Sequence, residues 1–164
     1  MGTIQNNDTA VLSIADGQAL ENGAFTFTVT SSNPSESVIT GTVNTANIAS
    51  EATAGTDYTA IAGGTFTIAG DSTDTTDTVT VTVNDDAIVE DDETFNVDLS
   101  NAQFNGAVDA TRATYTGGDT QALGTILNND TAVLSIADVS QSEDGTLTFT
   151  VTSSNPSESD ITGT

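Results

Sequence analysis

The chain reads as all-β, on three observations. Apolar and polar residues alternate along almost the whole length: Phe25, Phe27 and Val29 alternate with Thr26, Thr28 and Thr30, and Val79, Val81 and Val83 with Thr80 and Thr82. That period puts successive side chains on opposite faces of a strand, one buried and one wet. The alternating runs are short and separated by Glu21-Asn22-Gly23, Ser31-Ser32-Asn33-Pro34, Gly63-Gly64 and Ala69-Gly70-Asp71, whose glycine, proline and Asn/Asp residues favour chain reversal. No segment shows a helical period. About seven short strands in roughly 120 residues describe an antiparallel, immunoglobulin-like β-sandwich.

In chain order the expected strands are 10–15, 23–32, 37–46, 64–69, 77–84, 93–100 and 120–127. The second and fifth are carried by the Phe/Val–Thr alternation, and the sixth by Phe95, Val97 and Leu99 against Asn96 and Asp98. β-Branched residues abound in all of them, as a half-buried pleated surface prefers. The Gly- and Ala-rich stretch 101–119 reads as a hairpin extension or a mobile loop before the last strand.

The chain also repeats itself. Residues 124–164 match residues 2–42 at 32 of 41 positions, at an offset of 122. Such fidelity marks a tandem array, and a unit of this size should own its core. The expected division is a tail of a preceding repeat at 1–8, a complete unit at 9–130, and the first strands of the next, incomplete unit at 131–164. Starting in mid-repeat, the chain reads as a piece of something longer. Asn128-Asn129-Asp130, matched by Asn6-Asn7-Asp8, forms the joint and holds no Pro- or Gly/Ser-rich spacer, so neighbouring units should abut. The orphan strands cannot close a sandwich alone; their apolar faces need a host, such as a neighbouring molecule in strand exchange.

Composition narrows the chemistry. The 164 residues hold 24 acids, one base (Arg112), no His, no Cys and no Trp, for a formal charge of −23. Nucleic acid is excluded as a natural partner, since phosphate contacts need the missing Lys and Arg. Anionic membrane surfaces are disfavoured for the same reason, and no apolar run reaches membrane-spanning length. Without His, Cys or Lys the usual nucleophile–base pairs cannot be assembled, and aromatics to stack on a sugar are few, so an enzyme is not expected. With neither disulfides nor zinc ligands, a secreted chain needs another staple, and a bound cation would also relieve the self-repulsion.

The densest acidic segment, Asn84-Asp85-Asp86-Ala87-Ile88-Val89-Glu90-Asp91-Asp92-Glu93, places six carboxylates in nine positions between two strands. Taken alone it also reads as a solvated acidic loop. As a ligand set its oxygens suit a hard ion of high, flexible coordination, calcium rather than magnesium or zinc. It is no EF-hand, lacking the central Gly. Asp71-Ser72-Thr73-Asp74-Thr75-Thr76-Asp77 reads as a polar turn, and Gly117-Gly118-Asp119 lacks the repetition of a calcium-binding nonapeptide. Asp16, Asp138 and Asp160 read as solvated strand-end acids.

Six motifs in order resemble the Calx-beta domain of sodium/calcium exchangers, an integrin subunit and large bacterial surface proteins. They are Leu20-Glu21-Asn22-Gly23, Thr53-Ala54-Gly55-Thr56-Asp57-Tyr58, Gly63-Gly64-Thr65-Phe66, the acidic segment continued to Thr94-Phe95, Leu99-Ser100-Asn101, and Gly124-Thr125-Ile126-Leu127-Asn128-Asn129-Asp130. The resemblance implies a sandwich binding several calcium ions, about three or four on charge balance, at one pole near the junction. Carried over position by position, the ligands would be Glu21, Asp57, Asp85, Asp86, the Ile88 carbonyl, Glu90, Glu93, Asn128, Asn129 and Asp130. The family often has Asp where this chain has Asn128 and Asn129, which should weaken or remove a site.

Two functions fit. In one, the unit is an extender repeat of a large bacterial (RTX-type) adhesin, exported by a type I system to the cell surface. Its partners are adjacent repeats of the same chain, and calcium at each joint converts a hinge into a rod. In the other, it is a calcium-sensing regulatory domain that changes its inter-domain angle. The near-identity of the copies and the Lys-free composition favour the spacer.

Overall fold

The structure, a computed structural model, describes every residue except 4, 72 and 116–119. The described strands are β1 (Ala10–Ile14), β2 (Gly17–Leu20), β3 (Ala24–Ser31), β4 (Ile39–Asn47), β5 (Gly64–Ile68), β6 (Thr76–Thr82), β7 (Glu93–Phe104), β8 (Ala113–Tyr115), β9 (Gln121–Leu127), β10 (Leu134–Ile136) and β11 (Val151–Ser153). They form a four-stranded sheet in the order β6-β3-β1-β8, a five-stranded sheet in the order β2-β9-β7-β4-β5, and a separate β10-β11 pair. The first two make the immunoglobulin-like sandwich the alternation predicts. Its period is plain in β3, whose Phe25, Phe27, Val29 and Ser31 are buried while the residues between them are exposed.

Every residue of the hydrophobic core lies between Ala10 and Ile126. At one end four aromatic rings meet. Tyr58 stacks on Phe95 at 4.3 Å, Phe95 stands edge-on to Phe25 at 5.2 Å, and Phe25 stacks on Phe27 at 5.4 Å. Such pairs add to the area they bury. Two glycines let the sheets close on aromatic rings. A Cβ at Gly124 would lie 2.6 Å from the Phe95 ring, and one at Gly41 would lie 2.3 Å from the Phe66 ring. Gly41 also sits at the irregularity where the β4–β7 register shifts between Thr40 and Thr42.

Two strands escape the sequence reading. The first expected strand continues, after a break at Ala15-Asp16, into β2, which leaves the sheet of β1 and joins the opposite one. There it runs parallel to β9, with Leu20 opposite Leu127. The Asp16 carboxylate holds the break by accepting the Leu123 amide at 2.7 Å. Likewise β8 runs parallel to β1 on the first sheet before β9 joins the second. The sandwich is therefore antiparallel except at these two edge pairings. The stretch 101–115 is also built rather than loose. β7 runs on to Phe104, turns tightly through paired Phe104–Ala107 backbone bonds, and returns through a turn at Asp109 that caps Thr111. Gly117-Gly118-Asp119 lies outside the described residues, as does Ser72 of the Asp71–Asp77 turn, where Asp71 accepts the Thr73 and Asp74 amides.

The second copy reproduces the first locally. Leu134, Ser135 and Ile136 face Ser153, Thr152 and Val151, as Leu12, Ser13 and Ile14 face Ser31, Thr30 and Val29. The flanking turn is copied too: Val133 donates to the Ser154 hydroxyl as Val11 does to Ser32. What differs is cover. Phe27 and Val29 are 1% and 0% exposed, whereas their copies Phe149 and Val151 are 55% and 61% exposed.

Candidate metal centre

Three loops meet at the pole where β2, β6 and β9 end. Glu21 follows β2 and extends its pairing, its amide donating to the Leu127 carbonyl at 3.2 Å. That places the side chain beside Asn128-Asn129-Asp130, which follow β9. The acidic turn 84–92 joins β6 to β7. It is tied to the Gly55-Thr56-Asp57-Tyr58 turn, because the Asn84 amide donates to the Asp57 carbonyl at 2.9 Å and its side-chain amide to Thr56 at 2.7 Å. Asp57 in turn accepts the Thr53 amide at 2.5 Å. Tyr58 anchors the assembly from within the core, its hydroxyl donating to Asn47 at 2.7 Å.

Glu21 is a buried carboxylate, 4% exposed. Burial raises its proton affinity, opposed by hydrogen bonds from Glu90 and the Asn129 amide and reinforced by the charges of Asp130 and Asp86. Glu90 is pushed up to about 8, by burial first, then by the hydrogen bond it shares with Glu21 and by the charges of Asp86, Glu93 and Glu21. Glu93 is pushed up to about 7, again by burial first, then by Asp57 and by Glu158 of the second copy. Two carboxylates this close favour holding a proton between them, so the Glu21–Glu90 pair takes one up more readily than free carboxylates do.

The structure thus places Glu90, Asp86 and Asp130 around Glu21, with Asp86 and Glu93 also acting on Glu90 and Asp57 on Glu93. The remaining expected ligands frame them. Asp85 accepts from the Asn129 side chain at 3.4 Å, and Asp86 accepts the Ile88 amide at 2.7 Å. The Asn128 side-chain oxygen accepts the Asp130 and Glu90 amides at 3.1 and 3.5 Å. Asp92, Glu51 and Glu158 were not among the expected ligands. Asp92 accepts the Asn128 amide at 3.1 Å, and Glu51 accepts both the amide and the hydroxyl of Thr94 at 2.9 and 3.0 Å. With Asp91, Glu93 and Glu158 they line an open cleft of about 460 Å³. The sequence signal for Glu51 is only an acid in the loop before Gly55-Thr56-Asp57-Tyr58; Glu158 is legible solely as the repeat of Glu36.

Does this pole fit a metal ion? Among the described residues, no three acidic side chains converge on one point as a closed metal site. The donor chemistry does fit. Glu21 Oε2 and Asp130 Oδ2 are buried without a hydrogen-bond partner, and a buried unsatisfied oxygen costs about 1–3 kcal/mol, more when charged. An all-oxygen set under like-charge pressure suits a hard divalent cation, which would take the place of the shared proton.

The second copy leans on this pole. The Val89 amide donates to the Pro156 carbonyl at 3.0 Å, and the Val89 carbonyl accepts the Glu158 amide at 3.0 Å and the Ser157 hydroxyl at 3.1 Å. Asn155 donates to Asp130 at 3.4 Å. The acidic turn is therefore held from both sides of the repeat seam.

The family model for the Calx-beta domain matches residues 3–130. Among solved structures, the apo-form Calx CBD1 domain is similar at 20% identity and TM-score 0.60, over 75% of this chain and 100% of that one. The calcium binding domain CBD12 of CALX1.1 is similar at 21% identity and TM-score 0.59, over 77% of this chain and 50% of that one. The CBD12 of CALX1.2 gives 21% and 0.58, over 77% and 48%. The chain thus spans about half the length of the two CBD12 structures. No curated protein sequence matches it.

Proposed function

The chain belongs to the Calx-beta domain family, and from that premise we propose that it is a calcium-binding structural spacer in which calcium at the inter-repeat joint stiffens a tandem array. The observation that carries this reading is the coincidence of two features at one pole. The buried, unpartnered carboxylate oxygens of Glu21 and Asp130 lie there, and there the next copy docks on Val89. CBD12 of CALX1.1 is described as a calcium binding domain, which supports the choice of ion.

Calcium would supply the positive charge and the high oxygen coordination that this pole lacks. Glu21, Asp57, Asp85, Asp86, Glu90, Glu93 and Asp130 would hold it through carboxylates, Asn128 and Asn129 through amide oxygens, and Ile88 through its carbonyl, with about three or four ions on charge balance. Asp130 joins the two copies covalently and through Asn155. Relieving its repulsion with Glu21 therefore stabilises the closed joint as well as the loop. In the same proposal the array belongs to a bacterial surface adhesin, outside the cell, holding a distal binding region away from the membrane. The Lys-free, acid-rich composition and the near-identity of the copies support that setting.

The test is thermal unfolding of the whole chain in calcium and in chelator, with solution scattering on the same samples. A large rise in melting temperature and a narrower, more extended distance distribution in calcium are expected. Superimposable curves would overturn the proposal. A joint that bends to a new fixed angle in calcium would instead favour a calcium sensor.

A further inference from the structure

The turn that grips Val89 exists twice. Ser31-Ser32-Asn33-Pro34-Ser35-Glu36-Ser37 is identical to residues 153–159, but only the later copy is seated on an acidic turn. The earlier one borders an open groove of about 580 Å³, lined also by Asp8, Phe104 and Arg112. Each of Asn33, Pro34, Ser35, Glu36 and Asp8 aligns with a residue that works at the seam: Asn155, Pro156, Ser157, Glu158 and Asp130. Asn155 is half-buried where Asn33 is exposed.

Arg112 adds a second feature to this groove. It is the sole basic residue of a chain of net charge −23, and it lies in this groove with its guanidinium 5.4 Å from the centre of the Phe104 ring. Beside Asp8 and Glu36 in the same groove and Asp109 nearby, this single cation has its densest complement in the six-carboxylate turn 84–93.

We propose that the Asn33–Glu36 turn and Arg112 form the receiving half of a head-to-tail joint, whose occupant is the acidic turn Asn84–Glu93 of a second copy of this unit. The Ser35 turn takes the Val89 strand by backbone pairing, as residues 156–158 do. Arg112 then meets Asp91 or Asp92 as a charge-assisted pair that Lys would make less well. Each joint is thus built from two separately placed parts, a backbone latch that carries Glu36 and one arginine. The inference rests on the tandem-spacer reading but not on calcium uptake.

The test uses a two-unit chain, residues 1–130 followed directly by 9–130, which recreates the native Asp130–Thr131 seam. All core residues of the unit lie between Ala10 and Ile126, so each half carries its complete core. Val89→Cys in the first unit and Ser35→Cys in the second report joint closure by disulfide formation, with no native cysteine to interfere. Arg112→Gln in the second unit should slow cross-linking about five-fold at low salt, less at 1 M salt, as expected for a partly exposed ion pair. The same substitution in the first unit, which has no preceding partner, should change nothing. Arg112→Lys in the second unit should recover part of the rate. Equal effects in both units, no effect in the second, or no cross-link with Arg112 intact would overturn the proposal. Calcium uptake measured on the same variants tells a failure of the spacer's metal chemistry apart from a failure of the arginine joint.

Discussion

Glu90→Gln separates the charge pressure at the pole from ordinary packing, because it keeps the shape and removes the charge. In the folded chain Glu90 titrates at about 8 against an unperturbed 4.5. Between those values the folded state holds a proton that the unfolded state has lost, so stability falls as pH rises through that window. At about 1.4 kcal/mol per unit the full penalty is about 5 kcal/mol, and solvent at this half-buried side chain screens it to about 2 kcal/mol. Gln carries no such penalty and can donate to Glu21 where the shared proton stood. In chelator at pH 8.5, Glu90→Gln should therefore raise the melting temperature by about 8 °C, and at pH 4 it should change little. In calcium the sign should reverse, because the wild type gains binding energy that the amide cannot match. Melting curves across pH, in calcium and in chelator, read all of this. Equal destabilisation at pH 4 and 8.5 in chelator would refute the reasoning.

Other substitutions probe the scaffold. Tyr58→Phe removes the hydroxyl held by Asn47 and should cost about 1 kcal/mol in chemical denaturation, with weaker calcium binding because Asp57 follows that anchor. Gly41→Ala forces a Cβ to 2.3 Å from the Phe66 ring and should destabilise by about 1–3 kcal/mol or prevent folding, as circular dichroism melts would show. Phe27→Ala should cost about 3–5 kcal/mol. Its repeat partner Phe149, half exposed, should tolerate Ala within about 0.5 kcal/mol, so comparable losses at the two positions would mean the second copy is packed after all.

The sandwich was legible because its strands are long enough to alternate. β3 and β7 each show three apolar residues in alternation on one face, and β6 shows two. β2 and β8 were not, for physical reasons. Gly17-Gln18-Ala19-Leu20 and Ala113-Thr114-Tyr115 are short edge strands whose parallel pairing is set by a distant partner, not by local period. The pole was legible as a list of acids, but not in its internal order. Nothing in the spacing says that Glu21 would pair with Glu90, that Asp92 would cap Asn128, or that Glu51 would hold Thr94. Those contacts depend on how three loops from both sheets meet. The role of residues 155–158 was hidden too, since a Ser/Asn/Pro turn looks the same whether or not it has a partner.

The most direct measurement is a calorimetric calcium titration of the whole chain, with Glu90→Gln beside it. The account predicts saturable uptake of more than one ion, accompanied by proton release as the Glu21–Glu90 pair gives up its shared proton, and loss of that release in Glu90→Gln. Absence of uptake, or uptake that Glu90→Gln leaves unchanged, would contradict it.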